Sequence, residues 1–114
     1  MEQHKSHEEY IVEQKAHVVN IASQMLDGKI GIIEGARLLR RLQYEVIDQY
    51  LDSDFLIFTV IESETDGLPI GSEREHWATS ALIEKDKQVK HAEALYREQA
   101  LISCKVLIER FKAA

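Results

Sequence analysis

Apolar residues recur along this chain at steps of three, four and seven, the spacing that places side chains on one face of an α-helix. The longest such stretch runs from Thr79 to Lys112 and contains neither proline nor glycine. At ~1.5 Å per residue, a helix of this length would extend roughly 50 Å, so we expect it to be the spine of the fold. Its predicted seam is Leu82, Val89, Ala92, Tyr96, Ala100, Ser103, Leu107 and Phe111.

The two halves of this predicted helix differ in how much apolar surface they offer. Charged residues crowd positions 84–90, whereas additional apolar residues join the seam further on. We therefore expect the core to centre on the C-terminal half, while the N-terminal half projects or packs on one side only. The residues predicted to widen the buried face are Leu95, Ile102, Val106 and Ile108.

Three shorter helices are predicted before it, over about 7–27, 33–43 and 53–64. Ser6 and Glu9 have the spacing of a capping box, and Gly28 stands where a C-terminal cap is expected. Asp52 and Asp54 would begin the third helix. The inward-facing residues are predicted to be Ile11, Val18, Ala22, Met25 and Leu26 on the first helix and Ile33, Ala36, Leu39 and Leu42 on the second.

Two stretches admit more than one interpretation. Residues 44–51 keep helical spacing, so the second helix either continues there or breaks and restarts. Residues 55–61 are continuously apolar and also fit a buried strand; we favour a helix because no partner strand is predicted elsewhere. Being apolar on every face, this helix should be wedged between the first and last helices. The predicted fold class is all-α: one domain over residues 1–114, an irregular four-helix bundle with a long C-terminal helix.

Composition narrows the possible functions of this 114-residue chain. Its net charge of −6 argues against nucleic-acid binding, which needs an excess of lysine and arginine. No apolar run is long enough to span a membrane, and the polar first residues lack the features of a signal peptide, so we expect a cytoplasmic protein. Cys104 is the only cysteine, which rules out an internal disulfide, and we expect it to be a small buried hydrophobe.

Acidic residues gather around the turn at 66–71, where a short helical turn is expected to begin at Ser72 with Glu75 completing a capping box. Such a cluster could form a contact surface for a basic partner or bind a divalent cation, and a solvated helix end fits equally well. Trp77 follows and is expected to pack under the loop. The candidate partner-binding residues are Glu62, Glu64, Asp66, Glu73, Glu75 and Trp77.

Other side chains give less specific signals. Glu73 and His76 have the spacing of one Glu-x-x-His pair, but di-iron bundles need two such pairs and two more carboxylates, so neither a metal nor another cofactor is predicted. The basic patch of Arg37, Arg40 and Arg41 could bind phosphate or a partner carboxylate, but such a row is more often the solvent-facing side of an amphipathic helix, and that is the expectation here.

Two blocks of the sequence carry a family resemblance. One runs from Leu26 to Leu39; the other runs from Asp54 to Gly71 and is followed by Trp77 and the helix around Ala92–Arg97. They resemble a family of short bacterial helical proteins, some of which are encoded beside polymorphic or contact-dependent toxins. Members often start the last helix with Ser-Pro, where this chain has Ala78 and Thr79. The resemblance implies a cognate immunity protein and carries no catalytic assignment.

The leading hypothesis is therefore a small acidic, non-catalytic immunity-type protein that binds and neutralises a basic toxin domain. One alternative is a metal-assisted hydrolase that uses the carboxylates between Glu62 and Glu75. Another is a homodimer or larger homo-oligomer that completes its helical packing around Val89.

Overall fold

The computed structural model of the protein describes residues 6–49 and 51–112, and the ends of the predicted domain and Tyr50 lie outside these ranges. Four α-helices span His7–Leu26 (α1), Ile32–Val46 (α2), Leu56–Glu64 (α3) and Thr79–Phe111 (α4), with a 3-10 helix at Gly71–His76. None of the described residues lies in a β-strand. The all-α prediction, including the helical interpretation of the apolar stretch at 56–61, is confirmed.

Local signals place the ends of α1 where the sequence predicted them. The Ser6 hydroxyl accepts a hydrogen bond from the Glu9 backbone N–H at 3.1 Å and donates one to the Glu9 carboxylate at 3.2 Å. After the helix, Gly28 has a φ of 75°, and its N–H donates to the Met25 carbonyl at 3.2 Å. A residue with a side chain rarely adopts that conformation, so the glycine allows the chain to turn back toward α2.

The second helix continues three residues beyond its predicted end and then stops. Ile47 is extended, with φ −123° and ψ 130°, so the interval 44–51 begins as helix and continues as irregular chain. Two contacts support the extra turn. The Tyr10 hydroxyl of α1 donates to the Glu45 carboxylate at 2.8 Å, and within α2 the Arg40 guanidinium lies 4.9 Å from the Tyr44 ring centre.

The third helix begins at Leu56, three residues later than predicted, because residues 52–55 form a turn instead. The Asp52 carboxylate accepts from the Asp54 backbone N–H at 3.0 Å, and the Asp52 carbonyl accepts from the Phe55 N–H at 3.1 Å. Both aspartates also bind Arg110 of α4, at 2.9 and 2.8 Å. The aspartates therefore hold the end of α4 and do not cap α3 directly.

The helices pack so that α2 lies between α1 and α3, with α4 packed along all three. The prediction that the third helix is wedged between the first and last is therefore wrong, and Leu56 and Val60 of α3 are exposed. Helix α2 is the inner element instead. The core comprises Val18, Ala22, Met25, Ile32, Ile33, Ala36, Leu39, Phe55, Ile57, Phe58, Ile61, Leu68, Ala100, Cys104, Leu107 and Phe111.

Helix α4 is unbroken over 33 residues, and the molecule is 50 Å long along its principal axis. Its buried residues all lie in the C-terminal half, as predicted. The predicted width of the buried face is wrong, however: Leu95 is 64% exposed, Ile102 56% and Val106 41%, and of the four added residues Ile108 alone packs against the core. Among the described residues, no helix is both long and apolar enough to cross a membrane.

Candidate functional site

The turn between α3 and α4, where the sequence placed the candidate contact residues, is held from the side of α2 by Arg37. The Arg37 guanidinium donates to the carbonyls of Thr65 and Leu68 at 2.8 and 2.9 Å. Thr65 is buried, and its hydroxyl donates to the Ile61 carbonyl at 2.6 Å. Leu68 is part of the core. These bonds satisfy backbone carbonyls that follow the last turn of α3 and so fix the course of the loop.

Glu73 extends this attachment to the 3-10 helix. Its carboxylate accepts from the Ile70 backbone N–H at 3.0 Å and forms an ion pair with Arg37 at 3.1 Å. The pKa of Glu73 is lowered, first by the Ile70 hydrogen bond and further by the charge of Arg37. A helical turn exists here as predicted, but it begins at Gly71, and Glu73 rather than Ser72 caps it.

The other side of the 3-10 helix is attached to α4. The Arg74 guanidinium binds the Asp86 carboxylate through two parallel hydrogen bonds, the second of them 3.1 Å long. This contact lowers the pKa of Asp86. Because a two-bond arginine–carboxylate pair restricts orientation as well as distance, the 3-10 helix is held between α2 and α4.

Two of the six candidate contact residues are engaged with arginines of α2. Glu73 binds Arg37, and Glu62 lies 3.4 Å from the Arg40 side chain. The acidic turn and the basic patch therefore face each other, and the prediction that the arginines of α2 point outward is wrong for Arg37 and Arg40. Arg40 is only 8% exposed and also donates to Gln43 at 3.3 Å.

The remaining four candidates, Glu64, Asp66, Glu75 and Trp77, are exposed. Asp66 lines a cleft that also contains Arg41, while Glu64 lines a different groove, on the side of α4. Trp77 does not pack under the loop as predicted: it is 37% exposed, and the Lys85 ammonium lies 5.6 Å from its ring centre. The structure thus divides the acidic group between two sides of the turn.

The groove beside Glu64 has a volume of about 570 Å³ and lies between the loop at 64–68 and the middle of α4. Its surface combines apolar side chains with both signs of charge. Such a groove can receive an apolar side chain of a partner while charged groups at its edge orient that partner. Its lining includes Glu64, Leu68, Lys85, His91, Leu95 and Tyr96.

No set of three or more histidine, cysteine, aspartate or glutamate side chains that could hold a metal ion occurs among residues 6–49 and 51–112. The carboxylates of Glu62 and Glu73, which the hydrolase hypothesis needs around one cation, lie against Arg40 and Arg37 instead. This geometry does not support metal-assisted hydrolysis.

Cys104 is buried, as predicted, with its Sγ 3.6 Å from the Met25 Sδ. Burial raises the pKa of the thiol to about 12, so almost none of it is thiolate near neutral pH. The side chain therefore belongs to the core and is not available as a nucleophile.

Two contacts that position the helices were not predicted from the sequence. The Glu93 carboxylate of α4 accepts from the Ile32 N–H at 2.9 Å and so caps α2 from a distant part of the chain. Arg110 binds Asp52 and Asp54. One feature of the sequence indicated that α2 lacks a cap of its own: Gly31 stands at the start of the helix, where a serine or aspartate cap would be usual.

Comparison of the chain with protein-family models, with curated proteins and with solved structures finds no significant match.

Proposed function

We propose that this chain is a small acidic, non-catalytic binding protein of the immunity type, which binds and neutralises a bacterial toxin domain in the cytoplasm. The observation that carries the proposal is the exposed Trp77 next to a turn that is attached on both sides by arginines. Tryptophan is enriched among the residues that dominate binding energy in protein interfaces. Loops that are positioned by a rigid scaffold often carry binding residues.

Pre-organisation of the turn supports this role. Arg37 ties the loop to α2 through two backbone carbonyls and Glu73, and Arg74 ties the 3-10 helix to α4 through Asp86. A surface that is already ordered loses less conformational entropy when a partner binds. In this proposal Glu62 and Glu73 help to position the surface, and the direct contacts come from Glu64, Asp66, Glu75 and Trp77.

The charge of the surface suggests the chemistry of the partner. The three exposed carboxylates are part of a net charge of −6. This charge would accelerate the encounter with a basic domain and disfavour acidic partners. The resemblance to proteins encoded beside toxins points to a toxin domain as that partner.

The proposal expects the neighbouring reading frame to encode a large secreted protein, and the test uses the variable C-terminal domain of that protein. Its affinity for the full chain is measured by calorimetry, and its toxicity is measured with and without co-expression of the chain. We expect one-to-one binding and rescue of growth. The E64K/D66K variant should bind at least about tenfold more weakly, and the loss should be smaller at high salt because exposed charges are screened. Trp77→Ala should weaken binding by a similar factor.

The matched control is D27K/D48K, which makes the same change of charge at two exposed positions just beyond the C-terminal ends of α1 and α2. Lysine is well tolerated at such positions because of the helix dipole. Unchanged affinity of E64K/D66K, or an equal loss in the control, would remove this surface from the proposal. A domain that neither binds nor is neutralised would remove the immunity role itself.

A further inference from the structure

Helix α4 carries an apolar stripe on the side that faces away from the core. It consists of Leu95, Ile102 and Val106, of which the first two are more than half exposed. At 100° per residue the three side chains lie within about 40° of one another around the helix axis, and the buried residues Ala100, Cys104 and Phe111 lie on the opposite side. We call these three residues the α4 stripe.

The stripe has the pattern of a helix-pairing seam. Leu95, Gln99, Ile102 and Val106 follow one another at steps of four, three and four, as in a coiled coil. Exposed Glu98 and Lys105 flank this seam on one side, seven residues apart. Two turns of helix separate them, roughly 10 Å along the axis, and neither forms an ion pair with another described residue.

We propose that the α4 stripe binds the same stripe of a second copy of this chain, with the two helices antiparallel about a two-fold axis close to residue 101. This register places Val106 opposite Leu95 of the second copy, twice by symmetry, and Ile102 opposite the alkyl part of Gln99. It also brings Glu98 next to Lys105 of the second copy, again twice. Apolar residues and opposite charges thus match in the same register, which is the self-complementarity that a two-fold interface requires.

This arrangement differs from pairing around Val89, which packs against the core of its own chain. A parallel pair would not use the same charges, because it would leave Glu98 and Lys105 without each other as neighbours. The seam between Leu95 and Val106 is only roughly 17 Å long, so a reversible dimer is expected rather than an obligate one.

Sedimentation equilibrium of the full chain from about 10 µM to 1 mM provides the first test, and we expect a monomer–dimer equilibrium. Ile102→Glu should weaken dimerisation about a hundredfold, since each copy loses one apolar contact worth about tenfold. The control is Ile83→Glu, which alters an isoleucine of the same helix that is 60% exposed and lies outside the stripe. Circular dichroism verifies that both variants keep their helix content. A monomer throughout, or equal effects of the two variants, would overturn the proposal.

A charge exchange tests the antiparallel register. Glu98→Lys and Lys105→Glu should each weaken dimerisation several-fold, because each places like charges side by side twice. The double variant E98K/K105E restores opposite charges and should recover the wild-type dissociation constant. Recovery in the double variant would identify the antiparallel register, because a parallel pair does not bring these two positions together. Failure of the double variant to recover would overturn the antiparallel arrangement.

Discussion

Gly35 shows how a single missing side chain sets the distance between two helices. It lies inside α2, where glycine normally costs about 1 kcal/mol relative to alanine. A Cβ atom at this position would lie 2.3 Å from the Met25 Sδ of α1, which is itself buried against Cys104. Glycine at this position therefore has a lower helix propensity than alanine but leaves room for the buried Met25 side chain.

We expect Gly35→Ala to lower the free energy of unfolding by about 1 kcal/mol. Overpacking of a core typically costs 1–3 kcal/mol, and the better helix propensity of alanine returns about 1 kcal/mol of that loss. Urea denaturation measures the change. Gly67→Ala is the control, because no atom lies within 4 Å of a Cβ built there. A G35A variant more stable than the wild type would contradict this account of the Met25 contact.

At the scale of the element, α2 depends on a cap that its own sequence does not supply. The Glu93 carboxylate accepts from the Ile32 and Ile33 N–H groups at 2.9 and 3.5 Å, and it adds negative charge at the positive end of the helix dipole. Gly31 permits this approach, since a Cβ there would lie 2.8 Å from the Glu93 Oε2. The contact holds the start of α2 against the middle of α4.

Glu93→Ala should lower the free energy of unfolding by about 1 kcal/mol, as loss of an N-terminal cap usually does. Glu93→Gln retains an acceptor oxygen without the charge and should cost less. Glu84→Ala, at an exposed site on the same helix, is the control and should change stability little. Gly31→Ala displaces the same carboxylate. The double variant should therefore lose less stability than the sum of the losses of the two single variants. Strict additivity would show that Glu93 does not act as the cap.

At the scale of the whole molecule, Arg110 joins parts of the chain that lie almost sixty residues apart. It binds Asp52 and Asp54, which form the turn before α3. The pKa of Asp52 is lowered, chiefly by the hydrogen bond from Arg110. A carboxyl group with a lower pKa in the folded state stabilises the protein above its unfolded pKa, and this stabilisation is lost as the pH falls through the folded pKa.

Arg110→Gln should therefore reduce the free energy of unfolding by about 1 kcal/mol at pH 7, a value discounted from that of a buried charged hydrogen bond because Arg110 is one-third exposed. The difference from the wild type should shrink as the pH falls below about 4, the ordinary pKa of aspartate in the unfolded chain, and should disappear once the pH is below the lowered pKa of Asp52 in the folded state. Urea denaturation over a range of pH measures both values. Arg97→Gln removes an exposed arginine of the same helix and serves as the control. A difference that does not change with pH would exclude Asp52 as the partner through which Arg110 acts.

The distribution of charge at the acidic turn also depends on how the whole molecule packs. The sequence predicted an acidic cluster around the turn at 66–71, yet Arg37 and Arg40 neutralise part of it. These arginines lie more than twenty residues before their partners, so spacing along the chain gave no sign of the pairing. The acidic surface that remains exposed is smaller than the sequence indicated, and Trp77 beside it is exposed.

Periodicity, caps and turn residues act between neighbours along the chain, so the helical class, the unbroken α4 and the main breaks could all be predicted from the sequence. Most of the core on α1 and α2 could be predicted as well, because most of their apolar residues share one face. The side of α4 that is covered depends on how the helices pack, since its C-terminal half is apolar on several faces and the sequence pattern does not distinguish among them. Tertiary structure likewise decided that Glu93, Arg37 and Arg110 hold the helices together, because each meets partners that are distant in sequence and close only after the helices have packed.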